Sequence, residues 1–131
     1  MKKHLTYAFY KKTVLGKDAD GKGIEFKQDT SSMPGSTAVV ELCMTTASAM
    51  GYSGMSYKTD EVAWLAVSKE DGAEAYEPSI DNVSAGNYPI ARPLYIYTVG
   101  EPEGIVKEYI DWVKTGGQDA LLKEGFVPLA K

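Results

Sequence analysis

Between Asn87 and Val99 the chain reads NYPIARPLYIYTV, and no other stretch limits the fold so tightly. Proline fixes φ, has no N–H to donate and disfavours helical backbone in the residue before it. Pro89 and Pro93 therefore hold Tyr88 and Arg92 extended. They lead into Leu94-Tyr95-Ile96-Tyr97, whose aromatic and β-branched side chains are those of a strand.

Around this segment, periodic and turn-rich stretches alternate. A first helix is predicted from Thr6 to Leu15, stopped by Gly16. Lys17 to Gly35 is polar, contains DADGKG and DTSSMPG, and reads as a surface excursion with at most a short extended piece. Ser36 or Thr37 is the expected N-cap of a second helix, with Val39, Val40, Leu42 and Cys43 buried along one side. MGYSGMSY, from Met50 to Tyr57, reads as a strand in which glycine admits a close neighbour. VAWLAV, from Val62 to Val67, reads as a strand buried on both faces. Pro78 opens one or two helical turns ending at Gly86. After the LYIY strand, Ile105, Val106, Tyr109, Ile110 and Val113 share one helical face. A short helix over Gln118–Glu124 precedes an extended FVPL. Helices alternating with strands give an α/β class with a mixed sheet.

The chain has 131 residues, 44% hydrophobic and 24% charged, which suits one globular domain. Its net charge is −4, so nucleic-acid binding has little electrostatic support. No apolar run is long enough to span a membrane. The Met-Lys-Lys opening is not followed by an apolar h-region, so it reads as no signal peptide.

Catalytic and metal-binding patterns are sparse. The single histidine, His4, has no second His or Cys at ligand spacing, so no zinc site is inferred. Asp18, Asp20 and Gly21 suggest a calcium loop, but the sixth-position Gly and the closing Glu are missing. The one cysteine, Cys43, lies in an apolar helical run and reads as a small core residue. Glu101 and Glu103 flank a helix start, where acids favour the dipole. Lys11, Lys12, Lys107 and Lys114 read as solvated faces. Arg92, the only arginine, either pins a hinge by an ion pair or reaches a ligand. An enzyme would have to draw on His4, Cys43 or Glu101, none with a visible partner, so no catalytic residue and no cofactor is assigned.

AMGYSGMSY, VAWLAV, PSIDNVSAGNYPIARPLYIYT and GIVKEYIDWVKTGGQDALLKEGFVPL, taken in series, resemble the C-terminal half of the phosphate-binding proteins of ABC transporters. TYAFYKKTVLG and PGSTAVVEL extend the likeness over nearly the whole chain. The resemblance implies a type II periplasmic-binding-protein-like fold, present in part: 1–88 belonging to the second lobe, and 89–131 to the hinge crossover and C-terminal helices of the first. It also implies phosphate or a similar oxyanion as ligand, an ABC permease as partner, and a periplasmic or extracytoplasmic location.

In that family a Ser-Gly-Thr turn at a helix N-terminus, with an arginine four residues before the Ser, clasps the anion. Aligned on TYAFYKK, the turn falls on His4, Leu5 and Thr6, of which Thr6 matches. Leu5 stands where the family has glycine and would obstruct a backbone that must approach the anion. A complete phosphate site is therefore not expected in this chain. The alternative is a self-associating structural domain that has lost the ligand, in which the YPIARPLYIYT strand and the Ile105–Val113 face meet a second copy.

Overall fold

The computed structural model describes residues 5–129, which form two compact units, one running to Ala63 and the other starting at Trp64. Among the described residues the buried apolar side chains are one per unit, Val40 in the first and Ile110 in the second.

In the first unit, helix α1 covers Leu5–Tyr10 and widens into a π-helical turn over Lys11–Leu15. The Gly16 amide closes that wide turn on the Lys11 carbonyl at 3.1 Å, and its φ of 69° ends the helix. The expected helix is present, with this change of pitch in its second half. The excursion after it is a tight loop bridged once, between Lys17 and Gly23. Asp18 organises it, its Oδ1 accepting from the amides of Asp20 (3.1 Å) and Lys22 (2.8 Å). That carboxylate serves the turn, as aspartate does in Asx motifs.

Helix α2 spans Ser36–Thr45. Its N-cap is Gly35, not Ser36 or Thr37, and no side chain caps it. Glycine is among the residues favoured at that position, so Ser36 is free to be the first helical residue. Val40 points inward, and Cys43 is half-buried as a small packing residue.

Met50–Tyr57 is not a strand. A Cβ at Gly51 would lie 2.6 Å from Val39 Cγ1 and 3.1 Å from Cys43 Sγ, so this backbone packs directly on the side of α2. Met55–Tyr57 then closes a 3₁₀ turn in which the Tyr57 amide reaches Gly54 O at 3.1 Å. The close neighbour expected from the glycine exists, but it is a helix.

The second unit corrects two further strands. Val62–Val67 is not a strand buried on both faces: Leu65 is exposed, and Val67 alone is bridged, to Tyr76, with both ladder bonds near 3.0 Å (2.9 and 3.0). Leu94–Tyr97 makes no backbone hydrogen bond to any described residue, and all four side chains are exposed. A strand completes its hydrogen bonding only against a neighbour. The two single bridges are antiparallel, and no sheet forms among the described residues, so the expected mixed sheet is absent from them.

The helices of this unit fall where the pattern puts them. Helix α3 covers Ile80–Ser84, capped by Ser79 Oγ on the Asn82 amide at 3.1 Å, with Pro78 one residue outside. Helix α4 covers Gly104–Lys114 and α5 covers Gln118–Lys123. At their joint, Trp112 lies over Gly116 and Gly117, where a Cβ on Gly117 would stand 3.1 Å from the Trp112 carbonyl. Gln118 braces the joint from both ends of its amide: Nε2 donates to Val113 O, and Oε1 accepts from the Leu129 amide at 2.7 Å. Of the apolar face expected on α4, Ile110 is buried and Val113 half-buried, whereas Ile105, Val106 and Tyr109 remain exposed.

The contact at Gly51 gives a direct test. Gly51→Ala should destabilise the chain by about 1–3 kcal/mol through overpacking against the stiff, branched Val39. A denaturant midpoint equal to that of the parent would show that α2 and this segment do not press together.

Candidate functional site

Leu5 and Thr6, two of the residues that the resemblance aligns with the family's anion-binding turn, open α1. Leu5 is the first helical residue, with its side chain 75% exposed, and Thr6 follows half-buried. His4 lies outside the described residues. The first turn of α1 contains no acidic residue, so nothing there repels an anion from the positive end of the helix. Leu5 carries an exposed hydrocarbon side chain at the position where the family it resembles has glycine. Of the described part of the turn, the Thr6 hydroxyl is the one side-chain donor.

Behind this turn is a feature that sequence reasoning missed. Tyr7 and Tyr10, one helical turn apart, face Phe26 from the excursion and Tyr52 from the segment after α2. Tyr10 and Tyr52 stack at 4.1 Å with planes 12° apart, and Tyr7 meets Phe26 at 5.0 Å. Phe26 also lies 6.0 Å from Tyr10 and 5.9 Å from Tyr52. Each such pair contributes about 0.5–1.5 kcal/mol beyond its area. The i, i+3 spacing of Tyr7 and Tyr10 was the available signal; their partners are distant in sequence and gave none.

Lys11 is half-buried and pairs with Glu25, which corrects its reading as a solvated face. Lys107 pairs with Asp111 one turn along α4, on an exposed surface where such pairs count for little. Arg92 lies in the exposed segment between the two prolines. Glu103 is the N-cap of α4, with no capping bond from its side chain.

Ionisation is shifted at Tyr52, Tyr76 and Glu61. Burial, with the neighbouring Tyr7 and Tyr10, pushes the Tyr52 phenol above its ordinary value of 10.0. The hydrogen bond to Glu74 Oε2, 2.6 Å long, raises Tyr76. A hydrogen bond from Thr59 lowers Glu61. No three His, Cys, Asp or Glu side chains among the described residues converge in a way that could hold a metal ion.

A family model described as a PBP superfamily domain matches residues 6–115. This chain belongs to the PBP superfamily. Within that superfamily it is similar to the phosphate-binding protein PstS of Pseudomonas aeruginosa, at 32% identity over 130 residues, covering 95% of this chain and 38% of that protein. The PstS of Bacillus subtilis is 33% identical over 97 residues, or 72% of this chain and 30% of the relative. That of Staphylococcus saprophyticus is 29% identical over 134 residues, or 98% and 39%. The chain thus spans well under half the length of these curated relatives, and it is a phosphate-binding-protein-like domain of the superfamily. No helix among the described residues is long and apolar enough to cross a membrane.

The aromatic stack predicts a pH effect with a definite sign. A phenol whose pKa is raised on folding favours the folded state while neutral, so its contribution is fully present below about pH 10 and is lost as pH rises through the folded value. The denaturation midpoint of the parent should therefore fall more steeply above pH 10 than that of Tyr52→Phe. Parallel pH profiles for the two proteins would contradict this.

Proposed function

We propose that this chain carries part of the ligand-binding apparatus of phosphate uptake, acting outside the cytoplasm and serving an ABC permease. The observation that carries the reading is the match to phosphate-binding proteins along 95% of the chain. With it go a second-lobe portion over 1–88, a crossover and C-terminal first-lobe portion over 89–131, and a mixed sheet completed by residues beyond this chain. His4, Leu5 and Thr6 would stand at the anion, with Thr6 Oγ1 and the backbone N–H groups donating. Leu5 would keep the backbone away from the oxyanion, and no catalytic step is assigned to any residue.

Two titrations test this reading. By calorimetry at low salt, the 131-residue chain alone should give no binding heat at millimolar phosphate. A chimera in which this chain replaces the matching segment of the Pseudomonas relative should bind phosphate, and more tightly once His4→Ser and Leu5→Gly are introduced. Saturable binding by the chain alone would overturn the incomplete site. A chimera that folds, by circular dichroism, yet binds with neither sequence would overturn the phosphate reading.

A second reading, self-association, has its own observation: the unpaired Leu94–Tyr97 segment and the exposed half of the α4 face lie in one unit. Exposed edges and apolar patches of this kind pair with another copy. Sedimentation at high concentration should give more than the monomer mass of 14.2 kDa, and a strictly monomeric species would end this reading.

A further inference from the structure

We propose that Asp71–Gly72 is a site of spontaneous isoaspartate formation, and that the fold spares the chain's other Asp-Gly pair, Asp20–Gly21.

The reaction needs a side-chain carboxyl followed directly by an unhindered amide. The Gly72 nitrogen attacks Asp71 Cγ, a C–N bond forms, and the amide proton and the carboxyl hydroxyl leave together as water. Water then adds back to the cyclic imide. Opening at the Cγ side restores aspartate. Opening at the Asp71 main-chain carbonyl leaves the chain running through Cβ and Cγ, with a free carboxylate on Cα. Mass and charge end where they began, and no oxidant, metal or enzyme takes part. Glycine best permits the closure, because it carries no Cβ to obstruct the ring.

The sequence holds this dipeptide at two places, and in most respects they match. Asp20, Gly21, Asp71 and Gly72 are all exposed. Gly21 and Gly72 have φ of 80° and 78°, and a Cβ at either would meet nothing within 4 Å. What differs is their place in the turn. Glu70 to Ala73 is a turn closed by the Ala73 amide on Glu70 O at 3.2 Å, so Asp71 and Gly72 are its two central residues. In such a turn the closing N–H belongs to the last residue, and the central ones take no part. The Gly72 amide accordingly bonds to no described group.

The first loop sets its dipeptide one position later. Its turn runs from Asp18 to Gly21, so the Gly21 amide is the one that closes it, on Asp18 O at 3.0 Å. Asp18 Oδ1 holds the amides on either side, and the Asp18 amide returns to Lys22 O at 2.9 Å. Gly21 must leave this set of bonds before its nitrogen can reach Asp20 Cγ. Losing one or two hydrogen bonds makes the reactive arrangement roughly fivefold to thirtyfold rarer. No such bond restrains the nitrogen of Gly72. Isoaspartate there adds a main-chain atom to the span that the Ala73–Glu70 bond closes, inside the loop between the bridged Val67 and Tyr76.

Ageing the folded 131-residue chain at physiological temperature and mildly acidic pH tests this. Digestion and electron-transfer fragmentation, which tells isoaspartate from aspartate, should show conversion at 71 about fivefold to thirtyfold faster than at 20. In denaturant the turns are gone and both sites are plain Asp-Gly, so the two should convert alike. Asp71→Glu, whose longer side chain needs a larger ring, should remove the faster conversion and leave position 20 unchanged. Equal rates in the folded chain, a faster Asp20, or a preference that survives denaturant would each overturn the proposal.

Discussion

Hydrogen-bond closure is the constraint on which this structure turns. A helix satisfies its interior amides from within its own segment, whereas an extended segment must find a second one alongside. Among the described residues the helical segments close themselves, and the extended ones find at most a single bridge each. The architecture is therefore helices held by a few side-chain braces, with the strand-like segments left over.

The braces differ between the units. In the first, four rings from three separate segments stack against one another and fasten α1 to the polar excursion and to the stretch beyond α2. In the second, Trp112 folded over two glycines and the Gln118 amide fix the angle between α4 and α5. Each is local, which is how two units with one buried apolar residue apiece among the described residues keep a defined shape of their own.

This division also explains what could be read from the sequence. Pro78, Gly16 and the 3.6-residue spacing of α4 act over one or two turns, so each of these helices was visible to within a few residues. VAWLAV and LYIY have strand composition, but composition reports a side chain's preference for a pleated surface, not whether such a surface is at hand. Gly51 shows the same gap: its need for a close neighbour was legible, but the identity of the neighbour, Val39, was not. For the candidate site, the family likeness was visible in GNYPIARPLYIYT, and the family model and the relatives bear it out. The ring stack behind Thr6 was not, because Phe26 and Tyr52 reach α1 only through the fold.

The Gln118 brace has a consequence for how the chain opens. The Leu129 amide donates to Gln118 Oε1, and a hydrogen bond of that kind nets about 1 kcal/mol. Losing that bond is far cheaper than unfolding α4 and α5, and it belongs to the local, low-energy openings that precede global unfolding. When Leu129 lifts, Gln118 keeps its bond to Val113, so the helical joint stays set while a short length of backbone becomes available to a protease or to exchange with solvent deuterium.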